Sequence, residues 1–210
     1  SDGGHAEYVT ILSDGESTLS PDIAPPVITD KESFLSAVRD SGLVGLGGAA
    51  FPTHIKLNPP PGKTVDTLIV NAAECEPYIT VDHRICIEGA AHAVEGALAI
   101  AQWCGVSTII FGIEDNKKQA AKALNEAIRL YGKSEHWPKG GISVKVLPTS
   151  YPTGAEKVLI RLLNGRVVPE GGLPADVGVI VQNVTTLHFL GLYLKTGMPL
   201  IRKAITVDGS

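Results

Sequence analysis

The sequence predicts an α/β domain with a Rossmann-like open parallel sheet flanked by helices. A glycine-rich loop is set between two N-terminal helices. Three observations predict it. From residue 65 onward, short apolar runs alternate with helical stripes. Glycine or proline punctuates most changes of pattern. Polar or glycine-bearing segments directly follow three of the apolar runs, at the strand ends where parallel sheets bind ligands.

Residues 1–28 read as a linker left from an upstream domain, and residues 29–210 as the domain proper. Within the linker, residues 7–12 alternate like a short strand, Asp14-Gly15 signals a turn, and the prolines up to Pro25-Pro26 stiffen the chain. Thr29 and Glu32 then have capping-box spacing, and Phe34, Leu35 and Val38 mark one face of a helix ending near Gly42. After the glycine loop, Pro52 suits the first position of a second short helix carrying His54, Lys56 and Leu57. Residues 67–70 read as a buried strand. Ile87, Ala91, Val94, Leu98 and Ala101 form one helical stripe closed by Gly105, followed by a strand at 107–111. Asp115 is placed to cap a helix that turns Ala120, Leu124 and Ile128 inward. A third strand at 142–146, a helix at 156–163, a fourth strand at 177–181 and a helix at 185–196 follow. Residues 200–207 close the chain as an edge strand.

The composition bounds the function. A chain of 210 residues, 44% apolar and 19% charged, holds one sizeable core without disulfide or metal staples. A net charge of −4 without a basic cluster excludes a nucleic-acid surface. The absence of an apolar run of about 18 residues predicts no direct membrane insertion. Cys75, Cys86 and Cys104 are odd in number and form no C-x-x-C pair. They predict a reducing compartment, with neither a disulfide nor an iron–sulfur ligand set within this chain. The histidines lack metal-ligand spacing, and no serine-hydrolase elbow is present. No metal ligand and no catalytic side chain is therefore assigned.

Four segments carry candidate chemistry. In the first, Gly45, Gly47 and Gly48 let the backbone turn sharply and approach a ligand, with Lys56 one turn into the next helix to meet a phosphate. The structural alternative is a plain helix-to-helix connection. The second, Asn71 to Tyr78, follows the first strand and offers Asn71, Glu74 and Glu76 to ribose hydroxyls or a carboxamide. It reads equally as a solvated acidic turn, and Cys75 within it as a packed cysteine rather than a reactive thiol. The third is Tyr151-Pro-Thr-Gly154-Ala-Glu156-Lys157, whose Glu156 a helix dipole favours in any case. The fourth, Gln182-Asn183-Val-Thr-Thr186, also serves as an ordinary helix cap. Glu114-Asp115 at the second strand end resembles a ribose-binding acid, with capping as the simpler role. Convergence of these ends on one rim predicts a single cofactor pocket.

In their order these segments resemble a known family. Gly45-x-Gly-Gly-Ala-x-Phe51-Pro-Thr-x-x-Lys56 is similar to the flavin loop of the NADH-oxidising peripheral subunit of respiratory complex I. Asn71-x-x-Glu-x-Glu-Pro, Tyr151-x-x-Gly-x-Glu156 and Asn183-Val-x-Thr186 resemble its other three blocks. The fuller wording is closest to the C subunit of Rnf-type complexes. Complex I relatives carry arginine at the position of Leu46 and acids at Ala73 and Ala155, which sets this chain nearer the Rnf group. The resemblance implies FMN and NAD(H) as ligands, with hydride exchange between them. It places Gly45, Gly47, Gly48, Lys56, Asn71, Glu74, Tyr151, Gly154, Asn183 and Thr186 around the flavin. Phe51, Glu76 and Glu156 would meet the nicotinamide nucleotide. It further implies a peripheral subunit at the cytoplasmic face of a bacterial membrane. The partners would be the other subunits of an electron-transfer complex and ferredoxin-type carriers. The 4Fe-4S clusters and the downstream ligand-binding domain are expected only in a full-length protein. Two alternatives stay open at this point: a cobalamin reductase of metabolic microcompartments, and a docking module that has lost its flavin.

Overall fold

The computed structural model describes residues 9–16, 18–132 and 135–208. Its sheet has four parallel strands in the order β3-β2-β1-β4, with β1 Thr67–Ala72, β2 Thr108–Glu114, β3 Ile142–Leu147 and β4 Val179–Asn183. The direction of winding reverses between β1 and β4. Neighbouring connections leave that point in opposite directions and open a crevice there.

Strand side chains alternate between faces, so each strand feeds two cores. Leu68, Val70, Ile109, Phe111 and Ile180 pack on one side against α1 (Lys31–Asp40), α4 (Ala90–Cys104), α5 (Lys118–Tyr131) and α7 (Val184–Thr196). Ile69, Ile110, Val179 and Val181 pack on the other side against Leu159, Ile160 and Leu163 of α6 (Glu156–Asn164). Gly112 lets α6 lie close on β2, since a Cβ there would stand 2.8 Å from a methyl of Leu163.

Helices α4 and α7 touch through their backbones. A Cβ at Gly96 would lie 2.1 Å from the carbonyl oxygen of Leu187, and one at Gly191 would lie 2.1 Å from that of His92. Two short helices complete the frame, α2 (Thr53–Lys56) after the glycine loop and α3 (Val81–Glu88) after β1. A 3-10 turn at Pro174–Val177 precedes β4.

The expected fold class and all four expected strands are observed, with β3 partly exposed at the sheet edge, but several local expectations are corrected. The first helix is capped one residue later than expected. Asp30 accepts from the Ser33 amide at 2.8 Å, and the Ser33 hydroxyl closes the box, so the reciprocal pair is Asp30 with Ser33 rather than Thr29 with Glu32. The stripe from Ile87 to Ala101 is broken at Gly89, where α3 ends and α4 begins. Asp115 does not cap α5. Its carboxylate accepts from the Thr149 hydroxyl at 2.6 Å, and the helix starts three residues later. Residues 200–207 form no strand. The Leu200 amide donates to the Ser41 carbonyl, off the sheet, and Ile201, Ile205 and Val207 are exposed. The strand expected at 7–12 lies partly outside the described residues, and 9–12 are irregular and exposed.

Candidate functional site

The glycine loop is an internally braced bend. The Gly45 amide donates to the Phe51 carbonyl at 2.9 Å, and the Ala50 amide donates back to the Gly45 carbonyl at 3.1 Å. Gly48, at φ +121°, holds a conformation that side chains disfavour. The Leu46 amide donates to the Thr186 hydroxyl at 3.0 Å, which ties the loop to the start of α7. The amides of Gly47, Gly48 and Ala49 have no hydrogen-bond partner among the described residues. Consecutive free N–H groups in a bend form an anion cradle. Helix α2 spans a single turn, so the charge of Lys56 outweighs its dipole here.

That loop walls a cavity of ≈ 640 Å³ at the β1–β4 reversal. Gly45, Gly47, Phe51 and Lys56 line one side of it, while Asn71, Gly154, Glu156 and Asn183 line the other. Leu173, Pro174 and Ala175 add an apolar wall that has no signature in the sequence. Gln182 also lines it, 3% exposed, and its side-chain NH2 group has no hydrogen-bond partner among the described residues. A buried donor left without a partner beside a cavity is a candidate to meet a ligand there. Its place at a strand end beside Asn183 was the available signal.

Lys56 and Glu156 meet across the cavity, Nζ to Oε1 at 2.5 Å, although they lie 100 residues apart in the chain. The asparagines are partly committed to the protein itself. Asn71 donates to the Gly154 carbonyl at 2.9 Å and accepts from the Ala73 amide. Asn183 caps α7 by accepting from the Thr185 and Thr186 amides, and its NH2 group donates to Asp82 at 2.6 Å. Thr185 donates to the same carboxyl, at 2.5 Å. Burial pushes the Asp82 carboxyl above the usual range, against these two hydrogen bonds.

Five of the expected site residues fall elsewhere or act differently. Thr186 is fully buried and works as the loop's anchor. Gly48 shapes the bend without lining the cavity. Glu74, Glu76 and Tyr151 line a second, smaller cavity. Glu74 faces inward there and accepts from the Asp82 and His83 amides at 2.9 and 3.3 Å, so it caps α3. Its pKa is raised, with burial the leading cause.

Glu114, at the end of β2, caps nothing, against the simpler expectation for it. It is 1% exposed, and neither carboxyl oxygen has a hydrogen-bond partner among the described residues. Burial raises its pKa, while nearby Lys117 opposes the shift. The folded chain therefore holds the Glu114 proton more tightly than the unfolded chain. Ionising it costs stability as pH rises above the ordinary glutamate value. Glu114→Gln is expected to raise the urea midpoint at pH 7, with the gain vanishing near pH 4. A gain that grows toward acid would refute this account.

Among the described residues no cluster of three or more His, Cys, Asp or Glu side chains is placed to hold a metal. No described helix is long and apolar enough to cross a membrane.

A parallel sheet with a braced glycine bend and a lysine at its winding reversal defines a cofactor-binding α/β domain. The chain belongs to the family described as the Nuo51 FMN-binding domain, whose pattern matches residues 38–190. It is 46% identical over 180 residues to the C subunit of the proton-translocating ferredoxin:NAD(+) oxidoreductase complex of Clostridium ljungdahlii, covering 85% of this chain and 37% of that one. It is 42% identical over 210 residues to the C subunit of the Na(+)-translocating ferredoxin:NAD(+) oxidoreductase complex of Acetobacterium woodii, covering 99% and 46%. Among solved structures it is similar to an NAD+-reducing NiFe hydrogenase in its air-oxidised state, with TM-score 0.67 and 27% identity over 79% of this chain and 30% of that one. The chain thus spans less than half the length of these relatives.

Proposed function

We propose that this chain is the FMN- and NAD(H)-binding domain of an Rnf-type ferredoxin:NAD oxidoreductase subunit, in which hydride equivalents pass between the two ligands. The observation that carries the reading is the conjunction at the larger cavity. Two free loop amides, those of Gly47 and Ala49, the Lys56 ammonium and the free Gln182 amide border a space walled on one side by Leu173 and Pro174. A phosphate fits the amides and the ammonium, and a flat apolar ring system fits the remainder. When bound, the flavin supplies the redox chemistry.

The protein's share is binding and orientation. The bend, fixed by Thr186 and by the Gly45–Phe51 hydrogen bond, presents its N–H groups without rearrangement. Gln182 supplies a donor to the ring edge. Phe51, half exposed at the mouth, offers a face for a second ring, and Glu156 an acceptor for a nucleotide hydroxyl or amide. The intact cradle favours this reading over a docking module that has lost its flavin. The relatives' names support a place in an ion-translocating electron-transfer complex; a peripheral position on the cytoplasmic face of the membrane is part of the same proposal. The remainder of a longer protein would pass electrons to or from ferredoxin-type carriers through 4Fe-4S clusters.

Titration of the protein with FMN is expected to quench flavin fluorescence at one equivalent. Anaerobic NADH is then expected to bleach the visible band of the bound flavin. Fluorescence that stays unchanged through a large excess of FMN would refute the assignment.

A further inference from the structure

The smaller cavity, ≈ 310 Å³, lies over the ends of β1, β2 and β3 and shares no lining residue with the larger one. It belongs to no part of the flavin site described above. Glu114 forms part of its wall, with both carboxyl oxygens buried and without hydrogen-bond partners among the described residues. A carboxyl so placed is costly unless a ligand brings donors to it. The neighbouring acids are already committed, Asp115 to Thr149 and Glu74 to the α3 amides. Around Glu114 stand Asn116, Ser150 and the ammonium of Lys117. Tyr78 and Tyr151 stand at the same cavity and are 80% and 75% exposed.

We propose that this cavity binds a ribonucleoside moiety, with its ribose hydroxyls donating to Glu114 and its base lying against the exposed tyrosines. In doubly wound sheets an acid at the end of the second strand takes a ribose diol. Exposed aromatic faces stack on bases of any sequence. Lys117, whose ammonium already lies 3.6 Å from a Glu74 carboxylate oxygen, offers a shared cation to a phosphate carried on that ribose. The volume falls near the lower bound, roughly 300 Å³, of small-molecule sites. Two sources offer this chemistry, a free adenine nucleotide or the adenosine half of NAD, and only the second rests on the function proposed above.

The test is calorimetric titration of the chain with AMP, alone and with FMN saturating. AMP is expected to bind at one site with the same affinity in both conditions. 2′-Deoxy-AMP is expected to bind at least about tenfold more weakly, because a buried acceptor rejects a ligand lacking the hydroxyl it was built to meet. Glu114→Leu should lose AMP binding. Tyr151→Ala, an exposed change that leaves the fold alone, should weaken it severalfold, and FMN uptake should be untouched in both variants. Competition between AMP and NAD+ assigns the site to the dinucleotide's adenosine, whereas simultaneous binding assigns it to a free nucleotide. No AMP binding, equal binding of the deoxy analogue, or displacement of AMP by FMN overturns the proposal. FMN uptake is scored separately, so its failure would not count against this site.

Discussion

Gly96→Val is expected to be the most damaging single substitution for stability, lowering it by about 3 kcal/mol or more. A Cβ at this position would sit 2.1 Å from the Leu187 carbonyl oxygen and 3.0 Å from its carbon. Both atoms are backbone, so no side-chain rotation relieves the contact, and α4 and α7 must separate. Separation would open the core between Val94, Ala97, Leu187 and Leu190. For a domain of this size the loss corresponds to a drop in melting temperature of roughly 6–12 °C. Gly132→Ala is the control. Gly132 has an ordinary φ of −60°, and its Cβ would make only ordinary contacts, with the Arg129 carbonyl at 3.5 Å and the Ile128 carbonyl at 3.9 Å. That variant should melt with the parent. A parent-like melting temperature for Gly96→Val would mean the two helices are not packed this closely.

Gly48→Val is expected to abolish measurable FMN uptake while the melting temperature stays at the parent value. The position is exposed, and an added Cβ meets nothing within 4 Å, so the core is indifferent to it. The backbone is not indifferent, because φ is +121° there. A valine in that region costs of order 1–3 kcal/mol of strain. The bend relaxes instead, and the free amides of Gly47, Gly48 and Ala49 cease to converge. Retained flavin affinity in a folded Gly48→Val protein would place the cofactor elsewhere. Loss of both flavin and fold would mean the loop is structural.

The sheet was legible because its signal is strong. Residues 68–70 and 109–111 are apolar throughout, and each run lies in a strand buried on both faces. Periodicity also located α5 and α6, but it missed the division at Gly89, since both helices present apolar groups across that break. The caps were harder. Asp30, Asp115 and Glu74 all have the chemistry to cap, and which helix end each reaches depends on contacts remote in sequence. Glu74 reaches α3 eight residues on, while Asp115 turns to Thr149. The site was legible as residue types at strand ends. What pairs them was not. The meetings of Lys56 with Glu156, Leu46 with Thr186 and Asn183 with Asp82 each bridge 100 residues or more. The isolation of Glu114 was not legible either, because a carboxyl without a partner leaves no pattern in a sequence.

The Lys56–Glu156 contact has a consequence for the order of events in this crevice. A single ammonium serves two potential anions, one internal and one arriving with the ligand. A phosphate drawn to Lys56 competes with Glu156 for that ammonium, which weakens the first arrival and loosens the hold on an acceptor that the next ligand can use. On the function proposed above, one shared charge would then favour an order of entry, with the second ligand's hydrogen-bonding partner freed as the first is seated.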